Sequence, residues 1–234
     1  MISTPNIVNG PITIGRMAPD FTALSTHGPI TLSQYRGKWV LLASEPGNFL
    51  ATSTSSIVEA SRVYNELQKR NTQQLFVTID NVFSNNELLK QIYDDYGIIV
   101  PFPLIEDRDG KIAQAYEMIN PDRIYEESVR DLFVINPEGR IRAILTYPIS
   151  VGRNSYEIIR LLDALQLNET YNVSTPTNWM PGDPVILPTS STFYEGLNRY
   201  INSESSGIIC KPWYACYIDY NSLINNNKSI ENQN

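Results

Sequence analysis

A cluster of hydroxyl side chains, TSTSS at residues 52–56, precedes a segment with helical periodicity and is the first place to look for covalent chemistry. A serine becomes a nucleophile only when an adjacent base accepts its proton. The chain has one histidine, His27, in the turn-like sequence THGP and far from Ser53 along the chain. Ser56 and Glu59 instead have the spacing of a helix capping box. We therefore favour helix capping over a Ser-His-acid triad for this cluster.

A second group of candidate residues is the pair Cys210 and Cys216, in the sequence CKPWYAC. These cysteines could form a disulfide, resolve a sulfenic acid or bind a metal. A metal site needs more ligands than two thiols, and no Cys/His cluster supplies them, so no metal is expected. No other sequence pattern indicates a cofactor.

Composition and charge exclude several classes of partner. The net charge of −7 argues against nucleic acid or an anionic membrane, because both attract basic surfaces. No run of eighteen apolar residues predicts a membrane-spanning helix. The N-terminus lacks the basic start and apolar core of a secretion signal, so we expect synthesis in the cytoplasm.

The hydrophobic pattern predicts the elements that position these residues, because short apolar runs indicate buried strands and 3.6-residue periodicity indicates helices. The predicted strands are Lys38–Ser44, Gln74–Asp80, Pro103–Glu106, Asp131–Asn136 and Arg140–Tyr147. The predicted helices are Ser53–Arg70 with Ile57, Ala60, Val63, Tyr64 and Leu67 inward, Ser84–Tyr96 capped by serine with Leu88, Leu89, Ile92 and Tyr93 inward, and Asn154–Leu167. Strands that alternate with helices and end in a hairpin predict an α/β fold with a mixed sheet.

The composition changes along the chain and predicts a division into domains. Residues 1–167 form the predicted α/β domain, and residues 168–220, rich in Pro, Asn, Ser and aromatics, a smaller one. Residues 221–234 read NSLINNNKSIENQN and predict a disordered tail or a linker, because they cannot bury apolar surface.

Five sequence blocks resemble the peroxiredoxins, in particular the one-cysteine-type subgroup with a long C-terminal domain. They are DNVFSN (80–85), VPFPLIED (100–107), VRDLFVINPEGRIR (129–142), YPISVGRNSYEIIRLLDALQ (147–166) and TPTNWMPGDPVILP (175–188). The resemblance covers roughly residues 10 to 220. It implies a thioredoxin-like fold, a mixed central sheet flanked by helices, and a small C-terminal dimerisation domain. It also implies self-association, as a homodimer or as a decamer.

The resemblance assigns roles to residues near the hydroxyl cluster, and three of them depart from the family. The family signature is Pro-x-x-x-Thr-x-x-Cys, usually preceded by histidine. Here Pro46 is kept, but Leu50 stands at the threonine position, Ser53 at the peroxidatic cysteine position and Glu45 at the histidine position. The activating arginine of the family matches Arg130, and a second arginine of the subgroup matches Arg153. Cys210 and Cys216 look like the C-terminal, resolving-type cysteine pair of archaeal members.

These departures predict loss of peroxidase activity. Peroxide reduction needs a thiolate that is oxidised to a sulfenic acid, and a serine oxygen has no such oxidation state. A laboratory Cys-to-Ser substitution in an active enzyme would explain Ser53 but neither Leu50 nor Glu45, so we interpret the three departures as natural loss. Arg130 and Arg153 are expected to pair with a carboxylate such as Glu45 instead of binding an anion.

The leading hypothesis is therefore an inactive peroxiredoxin-type domain with a structural or assembly role. The alternative is a thiol-dependent enzyme that works through the C-terminal cysteines. The Asn-rich texture and the polar tail are also similar to the N-terminal peroxiredoxin-like domain of clostridial spore-coat proteins that continue into a chitinase. That similarity implies a further domain after Asn234 and a place in the spore coat.

Overall fold

The structure, a computed structural model, describes residues 11–119 and 130–224. The chain divides into two compact units, the first ending at Ser155 and the second beginning at Tyr156. The sequence predicted the domain boundary at residue 167, at the end of a predicted helix, whereas the boundary between the compact units follows Ser155, at the start of that helix. Within the described residues, no helix is both long and apolar enough to cross a membrane.

The first unit is built on a five-stranded mixed sheet, preceded by a short hairpin of β1 (Thr22–Ala23) and β2 (Ile30–Thr31) that has His27 in its turn, as predicted. The sheet strands lie within two residues of their predicted bounds. They are β3 (Trp39–Glu45), β4 (Thr72–Thr78), β5 (Leu104–Glu106), β6 (Arg130–Ile135) and β7 (Ile141–Tyr147). The α/β class and the mixed sheet are confirmed.

The order of the strands, β5-β4-β3-β6-β7, places β3 at the centre of the sheet. All seven residues of β3 are buried, as expected for a strand covered on both faces. β3 runs parallel to β4 and antiparallel to β6. Because β3 and β6 run in opposite directions, Glu45 at the end of β3 lies beside Arg130 at the start of β6.

Among the described residues of the first unit, four α-helices and a short 3-10 helix (Leu32–Tyr35) connect and cover these strands. The α-helices are α1 (Ala51–Arg62), α2 (Tyr64–Lys69), α3 (Val82–Tyr96) and α4 (Lys111–Ala115). The single helix predicted from Ser53 to Arg70 is interrupted at Val63, whose backbone (φ −95°, ψ 2°) leaves the helical region. Ile57 and Leu67 are buried as predicted.

Helix α3 differs from its prediction in its cap and in one inward residue. The side chain of Asn81, not Ser84, caps the helix, and it accepts a hydrogen bond from the Ser84 N–H at 2.9 Å. Leu88 and Ile92 share the buried face, but Tyr93 is 54% exposed. Tyr93 follows Ile92 directly, so it lies about 100° further round the helix and away from that face.

The second unit has its own apolar core. Its elements are α5 (Ser155–Tyr171, all but its first residue), β8 (Val185–Ile186), α6 (Phe193–Ile201), β9 (Ile208–Cys210) and β10 (Cys216–Ile218). The three strands form an antiparallel sheet in the order β8-β10-β9. The core contains Ala164, Leu167, Val173, Trp179, Val185, Ile218 and Leu223.

Leu223 also corrects the predicted tail. Residues 220–224 are helical, and Leu223 is 6% exposed. The tail prediction is therefore wrong for residues 221–224, because one leucine in an otherwise polar segment packs into the second unit. The rest of the predicted tail, residues 225–234, lies outside the described residues.

Candidate functional site

The hydroxyl cluster lies in the first two turns of α1, after a short loop that follows β3. Leu50 is the N-cap residue, with extended backbone (φ −83°, ψ 132°) and no capping hydrogen bond from its side chain. Ser53 is therefore the third helical residue, and its side chain is buried with 1% exposure. The capping prediction for Ser53 and Ser56 is wrong, because the helix begins at Ala51, before both of them.

The loop between β3 and α1 is held by a hydrogen-bond network that the sequence did not indicate. The Asn48 N–H donates to the Asp80 carboxylate at 2.7 Å, and the Asn48 amide donates to Ser84 Oγ at 3.0 Å and to Asn85 Oδ1 at 2.8 Å. These partners lie at the start of α3, in the DNVFSN block. Phe49, next in the loop, takes a left-handed conformation (φ 59°). The sequence marked these partners only through the resemblance of the DNVFSN segment to the family.

Glu45 forms a buried ion-pair cluster with the two arginines. Its side chain is 1% exposed, and those of Arg130 and Arg153 are 0% and 5% exposed. Arg153 Nη1 donates to Glu45 Oε1, and Arg130 Nη2 lies 3.4 Å from Glu45 Oε2. The pairing that the sequence predicted is confirmed.

Backbone carbonyls and one hydroxyl fix the orientation of both guanidinium groups. Arg153 Nη2 donates to the carbonyl oxygens of Ser44 at 2.6 Å and Asp131 at 3.0 Å. Arg130 Nη2 donates to the hydroxyl of Ser56 and to the Thr52 carbonyl at 3.3 Å. Arg130 is thus tied to the first two turns of α1, the same turns that carry Ser53.

Several buried polar atoms of this cluster have no hydrogen-bond partner among the described residues. They are Ser53 Oγ, Glu45 Oε2, Arg130 Nε, Arg153 Nε and Asp131 Oδ1. The contact of Glu45 Oε2 with Arg130 is therefore an ion pair without the alignment of a hydrogen bond. Burial lowers the pKa of Arg130, partly opposed by Glu45, and burial raises the pKa of Asp131, opposed by a hydrogen bond from Thr146 and by Arg153.

The cluster contains no group that could activate Ser53. His27 lies in the turn of the β1–β2 hairpin, where its ring contacts Thr26 Oγ1 at 3.1 Å. Glu45 is held by two cations, which is the arrangement of a structural counter-ion and not of a free base. The Leu50 side chain carries no hydrogen-bonding group, and the buried Pro46 follows Glu45 directly in the chain. The triad alternative therefore has no geometric support.

The two cysteines form a disulfide in the second unit, between the paired strands β9 and β10. The sequence left a disulfide, a resolving role and a metal site open for this pair, and in the structure the two cysteines form the disulfide. Both sulfurs are bonded to each other, so neither is available as a thiolate metal ligand in this form. Among the described residues, no group of three or more His, Cys, Asp or Glu is placed to hold a metal ion.

Two family models match the chain. The AhpC/TSA family matches residues 14–144, and the C-terminal domain of 1-Cys peroxiredoxin matches residues 164–203. Among curated proteins, peroxiredoxin 2 of Caldanaerobacter subterraneus is 45% identical over 87% of this chain and 91% of its own length. The peroxiredoxin of Methanosarcina mazei is 39% identical over 87% of this chain and 95% of its own.

Solved structures show the same fold. A yeast mitochondrial 1-Cys peroxiredoxin superimposes with a TM-score of 0.80 and 31% identity, covering 89% of this chain and 99% of that one. A cysteine-to-serine mutant of peroxiredoxin 6 of Arenicola marina gives 0.78 and 28% identity, covering 89% and 98%. The fold is therefore thioredoxin-like with a C-terminal domain, and the buried arginine cluster next to the first turns of α1 lies in a chain that belongs to the peroxiredoxin family.

Proposed function

We propose that this chain is a peroxiredoxin-type domain without peroxidase activity at the Ser53 position, kept for a structural or assembly role. The observation that carries the proposal is the buried cluster of Glu45 with Arg130 and Arg153, next to the helical turn that holds Ser53. A retained fold, with one of the two arginine charges offset by Glu45 and no oxidisable nucleophile at position 53, supports a scaffold better than it supports a peroxidase.

The chemical argument begins with the nucleophile. In peroxide reduction a thiolate attacks one peroxide oxygen, the O–O bond breaks, and the sulfur is oxidised to a sulfenic acid. Ser53 offers a hydroxyl that stays protonated near neutral pH, and its oxygen cannot take up the oxidation. No described residue near it accepts its proton.

The electrostatic argument concerns Glu45. In an active site of this type, arginines beside a helix N-terminus favour an anion at the nucleophile. Here the Glu45 carboxylate, which contacts both guanidinium groups, offsets one of their two positive charges. Two unit charges of the same sign about 4 Å apart repel by about 4 kcal/mol at an effective dielectric constant near 20. Glu45 therefore disfavours a second anion relative to a neutral side chain at the same position, while these three side chains together keep one positive charge.

The test is hydrogen peroxide consumption with dithiothreitol as reductant, for the wild type and for Ser53→Ala. We expect neither protein to exceed the rate of the reductant alone. Turnover that depends on the protein and is lost in Ser53→Ala would contradict the proposal. Sequencing the native gene at codon 53 separates a natural serine from a laboratory substitution.

A second candidate function is thiol-dependent redox activity through Cys210 and Cys216. The observation that favours it is the disulfide, since these two cysteines form a pair that can cycle between disulfide and dithiol without Ser53. Activity that persists in Ser53→Ala but disappears in the double variant Cys210→Ser/Cys216→Ser would support it. Activity that is unchanged in the double variant would eliminate it.

We propose self-association as part of the structural role, as a homodimer or as a decamer. Helix α6 supports the proposal, because it leaves large apolar side chains exposed: Phe193 by 68%, Tyr194 by 82% and Ile201 by 69%. Exposed apolar surface of this kind marks interaction sites in folded proteins. Light scattering of the purified protein over a range of concentrations measures the mass, and a strictly monomeric mass would contradict the proposal.

We also propose that the domain belongs to a longer spore-coat protein with a chitinase after Asn234. The support is the Asn-rich, polar composition of residues 225–234, which is suited to a linker. The intact mass of the native protein, measured by mass spectrometry, decides the matter. A mass near 26.5 kDa, the mass of the present chain, would contradict the fusion.

A further inference from the structure

We propose that the Cys210–Cys216 disulfide is a redox latch that holds Trp213 against helix α6, and that a small dithiol reductant opens it. The inference does not depend on the chemistry at Ser53, so it can hold whether or not the domain reduces peroxide.

The disulfide closes a short hairpin at its base. Cys210 ends β9, Cys216 begins β10, and the two are directly paired in the antiparallel register. Inside the loop, the Lys211 N–H donates to the Ala215 carbonyl at 3.2 Å, and the Ala215 N–H donates to the Pro212 carbonyl at 3.0 Å. Residues 211–215 are therefore confined to a tight turn, and the side chains at its tip have a fixed direction.

The turn places the ring of Trp213 in contact with the backbone of α6. A methyl group placed on Gly196 would lie 3.1 Å from two ring carbons of Trp213, closer than ordinary van der Waals contact. Gly196 is the buried residue of α6, while Trp213 remains 50% exposed on its other side. The Trp213 ring thus forms the cover of one face of the helix, and the disulfide holds the loop that carries it.

The two cysteines differ in exposure. Cys216 is 1% exposed, whereas Cys210 is only partly buried. Thiol–disulfide exchange begins when a thiolate attacks the accessible sulfur, and the other sulfur leaves. Attack is therefore directed to Cys210, and Cys216 is the leaving group. Its position inside the unit keeps it from being attacked first.

The reduction balances with a dithiol as co-reactant. One thiolate of the dithiol bonds to Cys210 Sγ, the bond to Cys216 Sγ breaks, and Cys216 keeps the electron pair and takes a proton. The second thiol of the reductant then attacks the mixed disulfide and releases Cys210 as a thiol. Two electrons and two protons pass to the cysteine pair, and the reductant leaves as its own disulfide.

Opening of the disulfide removes the covalent restraint on residues 211–215. The loop then depends on two backbone hydrogen bonds, on the 3.6 Å contact of Cys216 Sγ with the Trp213 carbonyl, and on the Trp213–Gly196 contact. We expect the loop to move away from α6 for part of the time and to expose the Gly196 face of the helix. The latch would in this way change the apolar surface of the second unit with the redox state.

Tryptophan fluorescence measures the opening, because the other two tryptophans, Trp39 and Trp179, are only 5% and 2% exposed. Acrylamide quenching is recorded with and without dithiothreitol, for the wild type and for Trp213→Phe. The difference in quenching between the wild type and Trp213→Phe gives the contribution of Trp213. We expect this contribution to rise up to about two-fold on reduction, because half of the Trp213 side chain is covered in the disulfide form. Cys210→Ser/Cys216→Ser is expected to show the reduced value without reductant. Unchanged Trp213 quenching in the fully reduced wild type would overturn the latch, even if the double variant failed to fold.

The site of attack is tested with glutathione, a monothiol that leaves its mixed disulfide in place. After brief treatment of the wild type and alkylation of free thiols, peptide mass spectrometry locates the glutathione. We expect it on Cys210, with the alkylating group on Cys216. Glutathione mainly on Cys216, or equally on both, would show that access does not direct the exchange. Peroxide consumption plays no part in either readout, so failure of the latch is distinct from failure of the proposed function.

Discussion

At the scale of single residues, the proposed loss of peroxide chemistry has two separate contributions. Ser53 lacks the sulfur atom that would be oxidised, and Glu45 offsets one of the two positive charges of Arg130 and Arg153. The first loss can be reversed by one substitution, but the second remains when Ser53 is replaced. The two effects can therefore be separated by building the family signature back in steps.

Ser53→Cys alone is expected to restore little hydrogen peroxide consumption with dithiothreitol. The Glu45 carboxylate opposes ionisation of the introduced thiol, and Leu50 offers no hydroxyl to the peroxide. The triple variant Ser53→Cys/Glu45→His/Leu50→Thr is expected to be faster and to have a lower thiol pKa, measured from the pH dependence of iodoacetamide alkylation. A tenfold change in the thiolate fraction corresponds to about 1.4 kcal/mol. Full family-like rates in the single variant would show that Glu45 and Leu50 are not part of the loss.

Glu45→Gln tests the buried cluster itself. Removal of one partner from a buried ion pair leaves uncompensated charge and typically costs about 3–5 kcal/mol. We expect a loss of that order in the free energy of unfolding, measured with urea. Glu59→Gln is the matched control, because Glu59 pairs with Arg62 on α1 with side chains that are 48% and 54% exposed. Exposed pairs contribute only about 0–1 kcal/mol. Equal losses in the two variants would mean that Glu45 is not a structural counter-ion.

At the scale of elements, the sequence predicted what depends on local pattern. The apolar runs of β3 and β4 fixed their positions within two residues, because a strand buried on both faces needs an unbroken hydrophobic segment. The helix starts were less predictable: serine was expected to cap α1 and α3, but Leu50 and Asn81 occupy those positions. Capping depends on which backbone amide a side chain reaches, and that geometry follows from the preceding loop.

The candidate site, too, could be predicted from the sequence only in part. Glu45 and the two arginines were identified through the signature, and their charges predicted that they would pair. The loop network of Asn48 with Asp80 and Asn85 was not predicted, because its partners lie more than thirty residues apart in sequence. Asparagine and aspartate at such separations carry no periodic signal. Only the folded sheet brings the start of α3 beside the loop.

Gly196→Ala tests the contact between α6 and the loop of residues 211–215. Alanine favours a helix over glycine by about 1 kcal/mol, but in the disulfide form the added methyl would lie 3.1 Å from the Trp213 ring. We expect little or no gain in urea stability for the oxidised protein and a gain of about 1 kcal/mol after reduction. The same substitution in a Trp213→Ala background should give the gain in both redox states. A full gain in the oxidised single variant would mean that Trp213 yields easily and is not held.

At the scale of the whole molecule, each of the two compact units has its own apolar cluster. Leu42, Leu75 and Phe133 belong to the cluster of the first unit, and Trp179 and Val185 to that of the second. We therefore expect reduction of the disulfide to affect the second unit and to leave the first unit unchanged. Its effect on the central sheet of the first unit is a measure of how independently the two units are stabilised.

Hydrogen–deuterium exchange of the oxidised and reduced protein measures which residues are affected by reduction of the disulfide. Chain-entropy arguments give a disulfide that closes a loop of this size about 2 kcal/mol of stabilisation. We expect reduction to speed exchange in residues 208–218 and in α6, where the latch acts, while β3 and β6 keep their protection, because their hydrogen bonds lie in the first unit. Cys210→Ser/Cys216→Ser serves as the control for direct effects of the reductant and should reproduce the same map. Faster exchange in β3 and β6 on reduction would show that the disulfide stabilises the whole chain, and the latch would then be a global structural bond instead of a local device.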